Sequence, residues 1–595
     1  MKDHLTTALK GSEADRAITQ GWLSSFNTAL QEEDQAAACA LFLDNAYWRD
    51  LLAHQWDFRS LTGPTTFVPQ LLGESKERGV RNFSIDPRYT EPTMQARSGR
   101  QVIEAIIRFD TDLGPGSGIL RLQEVPEGSG QWLAWGLMTS LQGLSAHPEK
   151  FGDNRPVRVP LRNPGENWTD QIRQNSTFES EEPEVLVVGG GHSGVMVAAR
   201  LRAMGVRVLT IDALPRLGDV WRNRYHTLQL HNEIFSIDFP YLRYPETWPV
   251  FLPKDMYADW IEFYARAMEL AVWTSTRFEG AERDEAAGCW IARLLMADGS
   301  QRVLRPKHII MATGGVSGRK SYPKLPGLEN FKGTVAHSAD VRPNDSFSGK
   351  KAIVVGTSTS GHDIALELTE RGCQVTMVQR SPTVVVNIDP ANLIYNTYKE
   401  GRSIDEIDVV TIANNFDATI QSYRLFTEMV EKMDKNLLDG LHKIGFKTDR
   451  GYLDGGYFAN YLHRGGGYYL NVGASDQLIS GKIGLIQNDQ IQHYEANGAR
   501  LMDGSLLDAD IVVLATGYMN QETDIHDYFG SDVARRVGKV WGWDEGGELR
   551  RAWRPTGQEG LWLQLGGVPQ CRTYSKFLAL QIVAELRGIK APTKA

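Results

Sequence analysis

Cysteine is scarce in this sequence, and its spacing excludes several kinds of site. The 595 residues include four cysteines, which stand far apart and form no CxxC pair. This pattern excludes a disulfide framework and a zinc site built from paired cysteines. We predict no metal site.

Long apolar runs and an excess of positive charge are also missing. No stretch approaches the roughly 18–20 apolar residues that a membrane helix needs. The first 16 residues are polar and mixed in charge, without the apolar core of a secretory signal. The net charge is −9 and no basic run occurs, which argues against a nucleic-acid partner. We therefore expect a cytoplasmic protein without a membrane span.

The length predicts several domains, and the first 147 residues form a group of their own. Residues 14–34 have apolar side chains at helical spacing, and residues 101–109, 118–123 and 132–142 read as strands. Helices followed by strands predict a small α+β domain. Residues 148–183 are polar and contain several prolines and glycines, so we interpret them as a linker.

A glycine-rich loop follows the linker in the setting that a dinucleotide site requires. The apolar run Val185–Val188 leads into a GxGxxG sequence, then into a helical segment and a second strand that ends on Asp212. The three glycines permit a tight turn, close approach of a pyrophosphate and close helix packing, while Asp212 is spaced to bind a ribose. The predicted binding residues of this loop are Gly189, Gly191, His192, Ser193 and Gly194.

The same pattern occurs a second time. The run Ala352–Val355 leads into a loop in which the middle glycine is replaced by Ser358, whose hydroxyl adds a hydrogen-bond donor. The second strand ends on Gln379-Arg380 instead of an acid, and Arg380 is suited to pair with a 2′-phosphate. We therefore assign FAD to the first site and NADPH to the second. The predicted binding residues of the second site are Gly356, Ser358, Ser360, Gly361 and Arg380.

Two further strands each run into an Ala-Thr-Gly sequence. One begins at Ile309 and the other at Ile511. Small residues at a strand end allow the backbone to cross beside a cofactor, so cofactor contacts are predicted here too. The residues concerned are Thr313, Gly314, Thr516 and Gly517.

Between the two loops lies a fingerprint that points to a family. Phe331, Gly333 and His337 match the FxGxxxH pattern, although Val341 stands where that pattern has an aromatic residue. On these motifs, residues 184–588 resemble the flavin-containing monooxygenases and the related Baeyer–Villiger monooxygenases. The departure at Val341 leaves the subfamily open.

The resemblance extends to two segments near the flavin. The sequence Gly218-Asp219-Val220-Trp221 resembles the family's GGxW stretch, and Leu230-His231-Asn232-Glu233 resembles the segment that places an Asn beside the isoalloxazine ring. The resemblance thus implies cofactor contacts from Trp221 and His231. It also implies a catalytic role for Asn232 near the flavin edge, and for His337 a role at the hinge between the domains.

The N-terminal extension is similar to that of the type II branch of these enzymes, and its element order with Tyr47-Trp48-Arg49-Asp50 resembles the NTF2-like fold. The resemblance implies that NADPH, and also NADH, reduces the flavin. O₂ then reacts to form a flavin C4a-peroxide, which oxidises a small ketone or oxygenates sulfur or nitrogen.

The sequence thus predicts an α/β protein with two Rossmann-like dinucleotide-binding domains, for FAD and NAD(P)H, preceded by a small NTF2-like α+β domain. The predicted parts are residues 1–147, the linker 148–183, the first FAD segment 184–330, the NAD(P)H domain 331–508 with a helical insertion, and the returning FAD segment 509–595. We expect the N-terminal domain to pack on the flavoprotein body or on a second subunit, which leaves a homodimer open.

Three alternatives to this function differ in their sequence requirements. A flavin disulfide reductase has the same two-domain layout, but the absent cysteine pair argues against it. An indole-3-pyruvate-type decarboxylating monooxygenase and a non-catalytic regulatory flavoprotein both stay open, since the motifs do not separate them.

Overall fold

The computed structural model describes residues 11–158, 164–314, 318–342 and 346–591. Residues 159–163 of the expected linker lie outside the described residues. Within the described part, no helix combines the length and the apolar character needed to cross a membrane.

The N-terminal part is an α+β unit, as the order of its sequence patterns predicts. Its helices are α1 (Glu13–Gln31), α2 (Gln35–Ala40) and α3 (Pro64–Arg78). Its strands are β1 (Phe42–Leu51), β2 (Phe58–Thr62), β3 (Arg81–Ile85), β4 (Thr93–Arg97), β5 (Arg100–Asp110), β6 (Pro115–Glu124) and β7 (Trp132–Leu141). They form one seven-stranded sheet in the order β2-β1-β7-β6-β5-β3, with β4 paired to β5.

Helix α1 shows how local chemistry sets these elements. Its N-cap Ser12 accepts a hydrogen bond from the Asp15 N–H at 3.0 Å, which satisfies one of the free donors of the first turn. Its apolar face buries Trp22, Leu23 and Phe26 against the sheet. The helix predicted over residues 14–34 is therefore present.

The expected linker contains regular structure. Helix α4 (Trp168–Thr177) begins at a capping box in which Asn167 and Asp170 bond each other's backbone N–H groups. Trp168 Nε1 also donates to Glu269 Oε1 at 2.8 Å. The polar composition of this segment reflects an exposed helix, which a composition argument does not distinguish from a loop.

The next part carries the first glycine-rich loop. Its strands are β8 (Val185–Val188), β9 (Val208–Ile211), β10 (Gln229–Glu233), β11 (Phe251–Pro253), β12 (Ala271–Trp273), β13 (Arg277–Asp284), β14 (Cys289–Leu295), β15 (Gln301–Leu304) and β16 (His308–Met311). Its helices are α5 (His192–Ala203), α6 (Asp219–Arg222) and α7 (Lys254–Ala267).

The second glycine-rich loop lies in the following part, together with a helical insertion. The strands are β17 (Thr334–His337), β18 (Lys351–Val355), β19 (Gln374–Gln379), β20 (Val384–Asn387), β21 (Tyr468–Asn471), β22 (Ile483–Gln487), β23 (Ile491–Glu495), β24 (Gly498–Leu501), β25 (Leu506–Asp508) and β26 (Ile511–Leu514). The helices are α8 (Thr359–Glu370), α9 (Ile388–Asn392), α10 (Ile404–Thr411), α11 (Phe416–Met433), α12 (Lys435–Lys443), α13 (Gly456–Arg464) and α14 (Ala474–Ile479).

The C-terminal part returns to the first sheet, but later than residue 509. It consists of α15 (Gln521–Phe529), α16 (Ser531–Val537), β27 (Leu561–Leu563) and α17 (Val568–Leu586). The predicted boundary is wrong because β26 lies in the second sheet, paired with β17 and β18. Helix α17 starts at Val568, directly after its N-cap Gly567.

The two cofactor parts arrange their strands in the same spatial order, although the edge strand comes last in the chain in the first part (β27) and first in the second (β17). The first parallel sheet has the order β12-β9-β8-β16-β27, and the second has the order β22-β19-β18-β26-β17. Each part also inserts a three-stranded antiparallel sheet, β13–β15 directly before β16 in the first and β23–β25 directly before β26 in the second. The chain thus contains two Rossmann-like α/β units, which confirms the α/β class and the two dinucleotide-binding domains that the sequence predicts.

The N-terminal unit packs directly on this body. Leu51, Phe58 and Met138 belong to the same buried cluster as Phe577 of α17 and Val197 of α5. A continuous apolar core is typical of an integral domain, whereas a tethered module keeps a separate core.

Candidate functional site

The first loop has the three glycines that its pattern predicts, and each has a distinct environment. Gly189 has φ +110°, and a Cβ there would lie 2.5 Å from the Ala312 carbonyl oxygen. A Cβ on Gly194 would collide with the Gly189 carbonyl oxygen. A Cβ on Gly191, the N-cap of α5, would meet nothing within 4 Å. The first and last glycines are therefore needed by the fold, while the middle one borders open space at a helix N-terminus, where a pyrophosphate binds.

The end of strand β9 completes this site. Asp212 accepts hydrogen bonds from the N–H groups of Gly190 and Leu214, both at 2.8 Å. Burial raises the pKa of the Asp212 carboxyl, against the opposing effect of these bonds. Opposite it, the buried Thr313 hydroxyl has no hydrogen-bond partner among the described residues. Such an orphaned group beside an open loop is consistent with a polar ligand at this place.

The neighbouring predicted residues connect the loop to the C-terminal part. His192 Nε2 donates to the Gly566 carbonyl at 3.1 Å, and burial lowers the pKa of its imidazole. The buried Ser193 follows it in the first turn of α5. Trp221 packs edge-on against Tyr257 with 5.0 Å between ring centroids.

The second loop has the same backbone with different side chains. Gly356 has φ +114°, and a Cβ on Gly361 would collide with the Gly356 carbonyl oxygen. The N-cap of α8 is Ser358, and its hydroxyl accepts the Gly467 N–H at 3.0 Å. Ser360 lies in the first turn of this helix. The glycine run around Gly467 has no phosphate-loop pattern, so the sequence did not indicate this contact.

At the end of β19 the neighbouring residues Gln379 and Arg380 have different environments. The buried Gln379 amide is held on the Lys447 backbone, with its Nε2 donating to the carbonyl and its Oε1 accepting the N–H, both at 2.8 Å. Arg380 is exposed, and among the described residues it has no hydrogen bond or ion pair. Its guanidinium is therefore available to a ligand, whereas the Gln379 amide is already occupied.

The FxGxxxH fingerprint serves the second sheet. Phe331 is buried in its core, and a Cβ on Gly333 would collide with the Asp510 carbonyl oxygen. His337 Nδ1 accepts the Ala339 N–H at 3.1 Å, so Nε2 carries the proton and donates to the Gly517 carbonyl at 2.9 Å. Burial lowers the pKa of His337. Both ring nitrogens are thus engaged, and the imidazole links the end of β17 to the loop after β26.

The segment around Asn232 lies where the two cofactor parts meet. Asn232 Nδ2 donates to the Tyr395 hydroxyl of the helical insertion at 2.7 Å. The adjacent His231 lies 3.6 Å from the Asp363 carboxylate of α8. Tyr225 also donates to that carboxylate at 2.5 Å.

Sequence reasoning missed Asp363 and its neighbour Glu367. Glu367 accepts the N–H groups of His226 and Thr227 at 3.2 and 2.9 Å, so both acids hold the first cofactor part against α8. Their separation of four residues places both acids on the same face of α8. That spacing is the feature of the sequence that could have indicated a contact surface.

Asp50 and His54 form a buried pair in the N-terminal unit. Asp50 lies on β1, and His54 Nδ1 contacts it at 2.9 Å while Nε2 lies 3.1 Å from the Ser75 hydroxyl. Thr139 donates to the same carboxylate at 2.7 Å. All these side chains are buried, so the cluster is a hydrogen-bonded part of the core between β1, β7 and α3.

Comparisons with known proteins agree with this architecture. Residues 186–460 match the family model described as pyridine nucleotide-disulphide oxidoreductase. Indole-3-pyruvate monooxygenase YUCCA1 of Oryza sativa subsp. japonica is 29% identical over 57% of this chain and 78% of its own length. Probable indole-3-pyruvate monooxygenase YUCCA3 of Arabidopsis thaliana is 28% identical over 58% and 76%.

A solved structure shares the fold. Cyclohexanone monooxygenase, in an epsilon-caprolactone-bound crystal structure, superposes with a TM-score of 0.52 at 16% identity, covering 68% of this chain and 88% of that one.

Two successive dinucleotide folds, joined through Asp363 and His231, define a flavoprotein oxidoreductase of the two-dinucleotide-domain class. The four cysteines stand far apart in the sequence and form no CxxC pair, so the chain lacks the motif for the dithiol chemistry named in the family description. The curated relatives and the solved structure that the chain resembles are monooxygenases by name.

Proposed function

We propose that the protein is an FAD-dependent monooxygenase that uses NAD(P)H and O₂ to insert one oxygen atom into a small organic substrate. The substrate is a ketone, in a Baeyer–Villiger oxidation, or a compound oxygenated at sulfur or nitrogen. The main support is the pair of matched dinucleotide units in a chain that has no CxxC cysteine pair. Solved and curated relatives named as monooxygenases support the same reaction.

FAD is the group we assign to the first unit. The open space at Gly191, the acid at Asp212 and the orphaned Thr313 hydroxyl fit a pyrophosphate, a ribose and a polar edge of this cofactor. Bound FAD supplies hydride acceptance and oxygen activation, which no side chain of the protein provides. The protein's task is to bind, orient and shield it.

NADPH is the coenzyme we assign to the second unit. The α8 N-terminus offers backbone N–H groups to its pyrophosphate, and the exposed Arg380 offers a guanidinium to its 2′-phosphate. The Gln379 amide is occupied by Lys447 and leaves no free acceptor for the 2′-hydroxyl of NADH. We expect NADPH to be preferred, with NADH accepted less well.

The roles of Asn232 and His337 follow from their partners. We assign Asn232 to the flavin edge, where its amide is oriented by the Tyr395 hydroxyl. His337 is a positioning residue, since both ring nitrogens are used to hold the Gly517 loop beside the second sheet. Thr516 supports the same loop by donating to the Ser321 carbonyl at 2.7 Å.

The N-terminal unit is proposed to be an NTF2-like domain that acts as an integral part of a cytoplasmic enzyme. Its single mixed sheet with three helices supports this assignment. We retain domain limits near residues 147, 183 and 330, and move the return to the FAD domain from 509 to the segment after β26.

A second candidate is the decarboxylating oxidation of an indole-3-pyruvate-type acid, because the curated relatives carry that name. It differs from the first proposal in requiring a substrate with a carboxylate.

The test is a substrate panel on the purified holoenzyme. We expect yellow protein with about one FAD per chain, and NADPH oxidation that is coupled to an oxygenated product detected by mass spectrometry. The panel contains cyclohexanone, thioanisole and indole-3-pyruvate. Stoichiometric H₂O₂ with every compound would contradict a monooxygenase, and bound cofactors without NADPH oxidation would indicate a regulatory flavoprotein.

A further inference from the structure

A cavity of about 250 Å³ lies where the N-terminal unit, the helical insertion and the C-terminal part meet. Its walls include Tyr395, Tyr423 and Phe458 from the insertion and Tyr574 from α17. Arg49 of β1 also lines it. A cavity between structural units, with several aromatic side chains and a few polar groups in its walls, is the usual form of a small-molecule site.

The cavity is connected to the segment assigned to the flavin edge. Tyr395, which lines the cavity, accepts the hydrogen bond from Asn232 at 2.7 Å. Pro569 and Gln570 also line it, three and four residues after Gly566, whose carbonyl binds His192 of the first glycine-rich loop. It is therefore the space in which a substrate would meet the flavin, and the inference below rests on the proposed function.

The charges on the cavity wall cancel. Among the described residues that line it, Arg49 and Glu548 are the charged ones. They form a two-pronged ion pair, with Nε to Oε1 at 2.9 Å and Nη2 to Oε2 at 2.6 Å, and both side chains are nearly fully buried.

The remaining hydrogen-bonding capacity of this pair is also used. Arg49 Nη1 donates to the Ile412 carbonyl at 2.5 Å, and Nη2 reaches the Tyr574 hydroxyl at 3.3 Å. Glu548 accepts a further bond from the Ser60 hydroxyl at 2.7 Å. The Arg49 guanidinium is therefore buried, and its N–H groups are already engaged, so it has none left for an incoming anion.

From this arrangement we infer that the N-terminal domain forms a wall of the substrate cavity, and that its Arg49, neutralised by Glu548, restricts the cavity to uncharged substrates. A carboxylate entering it loses its hydration without gaining a net positive partner, which is unfavourable. The inference separates the two candidate reactions, because it favours neutral ketones and thioethers over α-keto acids. It also gives the N-terminal domain a role in specificity.

The experiment compares two probes that differ in one group, phenylacetone and phenylpyruvate, in which a carboxylate replaces the methyl group. Dissociation constants are measured by calorimetry on the FAD-loaded, oxidised protein without NADPH, so binding is read independently of turnover. We expect phenylacetone to bind at least about tenfold more tightly than phenylpyruvate. Equal or tighter binding of phenylpyruvate, or no binding of either probe, would overturn the inference.

Two substitutions test the role of the ion pair. Glu548→Gln leaves Arg49 without its counter-charge, so phenylpyruvate should gain about tenfold relative to phenylacetone. Arg49→Gln leaves Glu548 unpaired and should weaken phenylpyruvate further; either variant alone decides the point if the other fails to fold. The matched control is Glu74→Gln, which breaks the Arg59–Glu74 pair within the N-terminal unit and away from the cavity.

The outcomes separate this inference from the proposed function. A binding ratio that does not change in the folded variants would refute the role of Arg49 and Glu548 even if the enzyme oxygenates ketones. A ratio that changes as expected, in a protein that forms only H₂O₂, would leave the cavity assignment standing and reject the monooxygenase.

Discussion

The two dinucleotide-binding units share one backbone framework and differ in the side chains at their strand ends. The first glycines have φ of +110° and +114°, and both pack against the carbonyl of an alanine in an Ala-Thr-Gly sequence. The glycines of those sequences, Gly314 and Gly517, have φ of +87° and +78°. A scaffold repeated this closely indicates that the differences in ligand come from a few substituted positions.

Three of the differing positions are suited to experiments. The middle loop residue is Gly191 in the first unit and Ser358 in the second. The strand ends on Asp212 in the first and on Gln379 in the second. One turn into the helix, Val195 of α5 corresponds to His362 of α8. Each position allows one unit to be changed while the other serves as its internal reference.

The largest effect is expected at the middle glycine. Gly191 has φ −70° and open space at its Cβ position, so Gly191→Val should fold but block the pyrophosphate. We expect FAD affinity to fall by more than about 100-fold while NADP⁺ binding persists. Flavin content after gel filtration, with circular dichroism, measures this.

Gly194→Val is the contrasting control. Its side chain would collide with the Gly189 carbonyl oxygen, so this variant should lose the fold as well as the flavin. Full flavin occupancy in Gly191→Val would show that the open space is not a pyrophosphate site.

Coenzyme choice is the next test. The exposed Arg380 has no partner among the described residues, and each charge-assisted bond to a phosphate is worth roughly 1.5–3 kcal/mol. Arg380→Ala should therefore raise the KM for NADPH about ten- to a hundredfold and leave that for NADH nearly unchanged. The measurement is a pair of KM values, one per coenzyme, on both proteins.

The alternatives for Arg380 are distinguishable in the same data. An equal loss with both coenzymes would mean that the residue supports the fold or the shared adenosine half. No loss with either would place it outside the site.

The smallest effect is the contribution of His362, in the second unit, to the pH dependence of stability. His362 is fully buried and stacks on Tyr469 with 4.0 Å between ring centroids, and burial lowers its pKa from 6.5 to about 4. The unfolded chain therefore binds this proton at a higher pH than the folded one. The contribution of His362 to the free energy of unfolding is therefore retained above pH 6.5. It is lost as the pH falls from 6.5 towards 4, by about 2 kcal/mol at pH 5.

His362→Val, which copies Val195 of the first unit, should flatten this dependence. Denaturant unfolding at pH 7.5 and pH 5 measures the difference. Part of the loss should remain, because the buried His308, whose pKa is lowered to about 3, acts in the same direction. An unchanged slope in the variant would show that His362 does not carry the effect.

Local sequence determined the strand, loop and helix of both nucleotide units, including the loop glycines, whereas the ligand roles of Asp212 and Arg380 stay predictions. Each unit begins with a strand, a turn and a helix that are specified within about 30 residues. The apolar periodicity specifies the strand and the helix, and glycine permits the positive φ of the turn. The fingerprint Phe331, Gly333 and His337 was recognisable for the same reason.

Tertiary structure alone decided which distant segments surround the site. Arg49 and Glu548 are 499 residues apart, and Ser358 meets Gly467 across 109 residues. The strand β26 lies in the second sheet although its position in the chain suggested the first, since pairing with β17 and β18 depends on edges that a local pattern does not reveal. Such contacts form because buried polar groups must find partners wherever the fold brings them, and sequence spacing carries no record of that choice.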